Sequence, residues 1–256
     1  MRDYSLSGRL AAGETVYTVW SSAPDLGLIE YFSAGPFGAI TLDMQHGAHD
    51  VDSVLRGLVP VIGGGKAAVV RVPLGRFDMA SRALDMGADA VIAPMINTIE
   101  DAVAFRDAMK FPPVGQRSWG PTRALSLRGI AGGSDYLNTA NVRTVSMAMI
   151  ETREAFAIAA DIAALEGIDA LFVGPSDFSI AWSGGAAVDP ALPDMQDAVA
   201  SIAGIAKSAG KHAGIFATDM AMVPRYVEMG YRFIALGAEA GIVAEGQKAI
   251  LAAAGA

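Results

Sequence analysis

The chain has 256 residues, 52% hydrophobic and 18% charged, so it can bury one large core, and at this length a single α/β barrel competes with two small domains. A formal charge of -8 argues against a nucleic-acid or anionic-membrane surface, since both need clustered Lys and Arg. The lack of cysteine removes disulfides, thiolate metal sites and a Cys nucleophile, and it fits a cytoplasmic home.

The first residues, MRDYSLSGRLAAGE, lack the apolar stretch of a signal peptide, and no run of 18 apolar residues reads as a membrane span. Residues 14–20, ETVYTVW, form a first predicted strand of β-branched and aromatic residues. Ser22 is the expected cap of the next helix, with Pro24 in its first turn. Residues 39–44, AITLDM, are almost wholly apolar, which marks a strand buried on both faces of a parallel sheet. Asp43, Gln45 and His46 stand where this strand ends, and 50–61 reads as a helix.

The pattern repeats along the chain. Residues 67–72 form a third strand with Arg71 at its end, followed by a helix over 77–86 closed by Gly87. Residues 88–95 form a fourth strand, and Thr98 begins a helix to Met109. The stretch 115–129, GQRSWGPTRALSLRG, is too irregular for an element, and a long loop in a compact domain is usually functional or mobile. A short helix is expected over 133–139. Residues 145–150 and 170–173 are strands five and six, with one helix between them. A helix over 195–209, a seventh strand at 212–217, a helix capped by Asp219, an eighth strand at 232–237 and an Ala-rich helix at 239–254 complete the chain.

Eight strand–helix units in this length imply a (β/α)8 TIM barrel forming a single domain over 1–256. A doubly wound open sheet is the alternative, weakened because no Gly-x-Gly-x-x-Gly follows the first strand. Barrel enzymes place their chemistry at the C-terminal ends of strands. Those ends here carry Asp43, Gln45 and His46, then Arg71, Glu151 and Asp177.

Two acids that end apolar strands are informative, because a buried charge needs a partner. Glu151 and Asp177 either share a divalent cation or cap the helices that follow them. None of the five lysines falls at a strand's C-terminal end, so a Schiff-base lysine is not expected and carbonyl chemistry would call for a metal. Two carboxylates are hard oxygen ligands, suited to Mg2+ or Mn2+ completed by water and a bidentate substrate. The turn Gly174-Pro175-Ser176-Asp177 offers the amides of Ser176 and Asp177 to a carboxylate, although it also fits an ordinary turn. His46 is the candidate base, with a core histidine as the competing reading. His49 and His212 default to bland roles. Arg71 needs an anion, either substrate or a site acid. Asp85 reads as a solvated helix-end acid that could orient His46, and Arg117 and Arg123 read as solvated loop residues that could close over a substrate carboxylate.

The blocks LDMQHGAHD, VVRVP, LDMGADAVIAPMINT, GQRSWG, IETREA and EGIDALFVGPSDFS, in this order, resemble the HpcH/HpaI aldolases, and within them the HpaI-type class II pyruvate aldolases. The resemblance implies metal-dependent, reversible cleavage of a 4-hydroxy-2-oxo acid to pyruvate and an aldehyde. It implies that Glu151 and Asp177 hold a divalent metal (Mg2+, Mn2+ or Co2+), that His46 and Asp85 form the base pair, and that Arg71 steadies the developing oxyanion. It further implies that the Gly174–Ser176–Asp177 turn holds the pyruvate carboxylate and that Phe216 lines the aldehyde side. A homohexamer, with helix 239–254 packed on a neighbouring subunit, also follows from the resemblance. Two positions depart from the family pattern: Gln45 replaces an acid before the histidine, and Met149 replaces a glutamine two residues before the metal-binding glutamate. The alternatives are a CoA-ester lyase of the citrate-lyase β-like branch, which would need a basic mouth for the CoA phosphates, and a catalytically silent barrel used for binding or assembly.

Overall fold

A computed structural model describes residues 5–255. Eight parallel strands close on themselves in sequence order: β1 (Val16–Ser21), β2 (Ala39–Asp43), β3 (Ala67–Arg71), β4 (Ala90–Ala93), β5 (Val145–Ile150), β6 (Ala170–Val173), β7 (His212–Ala217) and β8 (Phe233–Ala238). The predicted (β/α)8 barrel is therefore the observed fold, and the closing pair β1–β8 is parallel like the rest.

The helices follow the chain as α1 (Leu6–Ala11), α2 (Leu26–Ala34), α3 (Val51–Gly63), α4 (Phe77–Met86), α5 (Ile99–Met109), α6 (Thr122–Arg128), α7 (Gly133–Arg143), α8 (Arg153–Ala157), α9 (Ala159–Ala164), α10 (Pro175–Trp182), α11 (Pro193–Ser208), α12 (Val223–Met229) and α13 (Glu239–Ala253). Local chemistry sets many of their ends. Asp50 and Thr98 close capping boxes at the starts of α3 and α5. Gly87 ends α4 in the left-handed conformation that a side chain resists.

Several expectations change. Asp25, not Ser22, caps α2. The loop over 115–129 contains α6, and α7 runs four residues beyond the expected 139. The single helix expected between strands five and six is two short ones, α8 and α9, broken at Ile158.

The strands sort their side chains by parity, as a pleated strand must. In β3, Ala68 and Val70 pack outward in the strand–helix core while Ala67 and Val69 fill the barrel. In β5, Ala148 and Ile150 face the helices, whereas Val145, Met147 and Met149 face inward. Continuing each inward series to the strand end places Asp43, Arg71 and Glu151 over the mouth of the barrel. Leu6 and Leu10 of α1 join the interior cluster with Val16, so α1 belongs with the opposite end.

That opposite end is held by two similar clasps. Asp89 Oδ2, just before β4, accepts the Ala68 amide at 2.8 Å and pairs with Arg128 at 2.7 Å. Asp169 Oδ2, just before β6, accepts the Ser146 amide at 2.8 Å and pairs with buried Lys110 at 2.6 Å.

Candidate active site

A cavity of about 250 Å³ opens at the C-terminal end of the barrel. Its lining includes Asp43, His46, Arg71, Glu151, Ser176 and Asp177 as the polar part. Trp20, Met149, Phe172 and Phe216 give it an apolar floor and wall. Of the residues expected from strand ends, Asp43, His46, Arg71, Glu151 and Asp177 thus converge, Gln45 does not line the cavity, and no lysine does.

Arg71 and Asp43 form a buried ion pair in its wall. Arg71 Nε donates to Asp43 Oδ1 at 2.8 Å and Nη2 to Oδ2 at 2.6 Å, a fork-to-carboxylate match across β2 and β3. The Trp20 indole donates to Asp43 Oδ2 at 3.2 Å, and the amides of Gln45 and Gly47 add bonds at 2.9 and 3.0 Å. Burial alone would raise the Asp43 carboxyl, but the Arg71 bonds, the Arg71 charge, the Gln45 amide and the indole outweigh it, and the group lies below its ordinary value. The guanidinium carbon lies 4.9 Å from the Trp20 ring centroid. Nη1 takes no part in the fork.

The two acids do not cap helices. Thr152 caps α8 with its own hydroxyl, leaving Glu151 free of that duty. Asp177 is the third residue of α10, whose cap position is Gly174. Glu151 Oε1 accepts the Met95 amide at 2.8 Å, while Oε2 is buried and has no protein partner. Burial pushes the Glu151 carboxyl up to about 7; the Met95 amide and Arg71 oppose the shift, and the nearby Asp177 charge adds to it. Oε2 faces the Gly174 turn closely enough that a Cβ at 174 would collide with it and with Met149 Cε. Arg153 Nη2 donates to the Trp182 carbonyl at 2.6 Å, tying the segment after Glu151 to the end of α10.

An orphaned buried carboxylate oxygen beside a second acid suits a hard divalent cation. No group of three or more His, Cys, Asp or Glu gathers in metal-holding geometry among the described residues. Two carboxylates match an Mg2+-type site, which takes few protein ligands and fills its remaining positions with water and substrate.

His46 lines the cavity from the exposed loop after β2, held by its amide, which donates to Asp43 Oδ1 at 3.4 Å. The structure does not bring Asp85 to it within one chain. The Asp85 carboxylate accepts from Arg117 at 2.7 Å, and neither residue lines the cavity. Arg117 is buried against the Phe111 and Tyr136 rings instead of lying in solvent, and Arg123 donates to the Leu55 carbonyl. His49 is a core histidine, bonded to Ser21 and Ser53.

Sequence reasoning missed three residues. Trp20 bonds Asp43 and meets Phe216 edge-on at 5.3 Å. Met95 holds Glu151 while adopting a φ of 54°, a region that costs a non-glycine residue about 1–3 kcal/mol. Glu239 accepts the amides of Ser22 and Ala23 across the β1–β8 seam, with Ser22 at 2.8 and 2.9 Å. The inward parity of Trp20 was readable from β1; nothing local signals the other two.

Comparison with known proteins gives the chain a family. The family profile described as HpcH/HpaI aldolase/citrate lyase matches residues 17–245. A hydroxypyruvate/pyruvate aldolase of Roseovarius nubinhibens is 30% identical over 245 residues, covering 95% of this chain and 93% of that protein. A 4-hydroxy-2-oxo-heptane-1,7-dioate aldolase of Salmonella dublin is 31% identical over 247 residues, covering 96% and 93%. The crystal structure of a HpcH/HpaI aldolase/citrate lyase family protein from Burkholderia cenocepacia superimposes with a TM-score of 0.87 at 30% identity, covering 98% of this chain and 99% of that one. With matches along nearly its whole length, the chain belongs to the HpcH/HpaI aldolase/citrate lyase family and is a carbon–carbon lyase.

Proposed function

We propose that the protein is a divalent-metal-dependent class II aldolase that reversibly cleaves 4-hydroxy-2-oxo acids to pyruvate, or a close 2-oxo acid, and an aldehyde. The observation that carries this reading is Glu151 Oε2, buried, unpartnered and turned to the Asp177 turn in a cavity shared with Arg71 and His46. Glu151 and Asp177 would hold Mg2+, Mn2+ or Co2+, which when bound supplies Lewis-acid polarisation of the substrate ketone.

The protein's own groups account for the rest. The amides of Ser176 and Asp177, at the start of α10 after Gly174, receive the 2-oxo acid carboxylate. In the cleavage direction His46 accepts the 4-hydroxyl proton, the C3–C4 bond breaks and the aldehyde leaves. The electron pair spreads over C3 and the ketone oxygen, where Arg71, already oriented by Asp43, offers Nη1 to the developing charge. A proton returned to C3 completes the methyl group of pyruvate. Phe216 and Trp20 wall the aldehyde side. Asp85 is bound to Arg117 and takes no part in this scheme within a single chain.

The test is deuterium exchange at the pyruvate methyl group, with and without Mg2+, Mn2+ or Co2+. Exchange that needs the metal and is lost in Glu151→Ala and Asp177→Ala supports the reading. Full exchange in EDTA, or trapping of pyruvate by borohydride, overturns it. Turnover of malyl-CoA with no pyruvate exchange would instead favour a CoA-ester lyase, against which the charge of -8 already counts.

The same reading extends to assembly. Val243, Ile250 and Leu251 of α13 are 47%, 71% and 56% exposed, an apolar surface for a neighbouring subunit in a homohexamer. Native mass spectrometry of the full chain and of a chain ending at residue 238 checks this, with loss of the hexamer expected in the shorter one.

A further inference from the structure

Met95 is the one non-glycine residue with positive φ among the described residues; all others with positive φ are glycines. An L side chain in that region crowds the neighbouring carbonyl, so its surroundings must impose the conformation. Here they do so from both sides. Pro94, with its ring-fixed φ, leads in from β4. Beyond Met95, Asn97 Oδ1 accepts the Thr152 hydroxyl at 2.6 Å, and Thr98 is fixed in the capping box of α5.

The left-handed turn aims one N–H. The Met95 amide donates to Glu151 Oε1 at 2.8 Å, while Oε2 stays unpartnered and buried. On the far side, Gly174 lets Oε2 approach the Asp177 turn, where a side chain would obstruct it. The carboxylate is therefore gripped at one oxygen and released at the other. The Asn97–Thr152 bond ties the same two segments together two positions beyond Met95 and one beyond Glu151, so the grip does not depend on a single contact.

We propose that Met95 is a positioning residue whose left-handed backbone pins Glu151 Oε1 and thereby presents Oε2 alone to the divalent cation. The proposal rests on Glu151 being a metal ligand. It predicts that metal affinity follows the tolerance of residue 95 for positive φ, independently of side-chain polarity. Glycine adopts that conformation freely, methionine and alanine with comparable strain, and β-branched valine worst.

The experiment is Mn2+ titration of the full chain, by calorimetry and by electron paramagnetic resonance, on the parent and on Met95→Gly, Met95→Ala and Met95→Val, with circular dichroism to confirm folding. The expected order of affinity is Met95→Gly at or above the parent, Met95→Ala with the parent because both carry an unbranched Cβ, and then Met95→Val, the last weaker by about 10–100-fold, as when a group supporting a metal ligand is lost. If Met95→Val does not fold, Met95→Thr, branched at Cβ but polar, takes its place. Equal affinity across the folded variants, or equal weakening in Met95→Gly and Met95→Ala, overturns the proposal. A parent that binds no Mn2+ overturns the metal reading beneath it.

Discussion

Asp43 receives both arms of the Arg71 guanidinium, at 2.8 and 2.6 Å, where the ends of β2 and β3 lie side by side. The two side chains are 2% and 10% exposed, so each charge depends on the other. Removing one partner of such a pair strands the other. Asp43→Asn is expected to lower stability by about 3–5 kcal/mol in urea titrations, and to lower kcat as Arg71 loses its orientation. Arg71→Lys keeps a positive charge but not the planar fork. Its kcat is expected to fall about 10²–10³-fold with a smaller loss of stability. Equal kcat in Arg71→Lys and the parent would remove Arg71 from the oxyanion environment.

Gly174 predicts a separation of stability from metal binding. A Cβ there would strike Glu151 Oε2 and Met149 Cε, but the position has a negative φ that alanine accepts. Gly174→Ala is expected to weaken Mn2+ binding by about tenfold or more, because it displaces the oxygen proposed to meet the cation, while the thermal midpoint moves by only a few degrees. Unchanged Mn2+ affinity would show that Oε2 does not face the cation.

Phe216 predicts selectivity. Its ring stands edge-on to Trp20 and half-buried in the cavity wall. Phe216→Ala is expected to raise kcat/KM for long aldehydes relative to acetaldehyde by about tenfold, the scale set by a few methylenes in an apolar pocket. A ratio that stays constant across aldehyde length would place the aldehyde elsewhere.

The histidines predict an acid limit to stability. Burial holds both His49 and His212 below the ordinary imidazole value, against the pull of nearby carboxylates. Below about pH 6.5 the unfolded chain therefore binds protons at these positions that the folded chain refuses, so the histidine contribution to stability is present above pH 6.5 and falls as pH falls toward the folded values. Glu151, pushed up to about 7, contributes in the opposite sense over the same range, so the histidine effect is read as a difference between proteins. From pH 8 to pH 5 the thermal midpoint of His49→Asn should fall less, or rise more, than that of the parent, and an identical pH profile in the two would remove His49 from the acid response.

Much of the site was legible because β-strands alternate with a period of two. Once residues 145–150 are read as a buried strand, Met149 and Glu151 must face the same way, and the same logic brings Asp43 and Arg71 to the mouth. Thr98 and Gly87 were readable because capping is local chemistry. What escaped depends on residues far apart in sequence. Arg117 reads as a loop arginine until α7 folds Tyr136 over it, and it then claims Asp85. Ser22 has the chemistry of a cap, but its amide is turned to Glu239, 217 residues away, and Asp25 caps instead. Met95 gave no signal because methionine has no preference for positive φ; the turn is imposed by its neighbours.

The Glu239 clasp has a mechanical consequence. Its carboxylate begins α13 and grips the rim where β1 leaves the barrel, beside cavity residues Ser22 and Ala238. The tail helix and the catalytic rim are thus laced together, and tugging on one moves the other. Any body that grasps the exposed side of α13 holds a handle on the mouth of the site. Cutting that lace with Glu239→Ala should leave the barrel closed by its β1–β8 ladder while letting the Ser22 loop swing, seen as faster amide exchange at Ser22 and Ala23 alone.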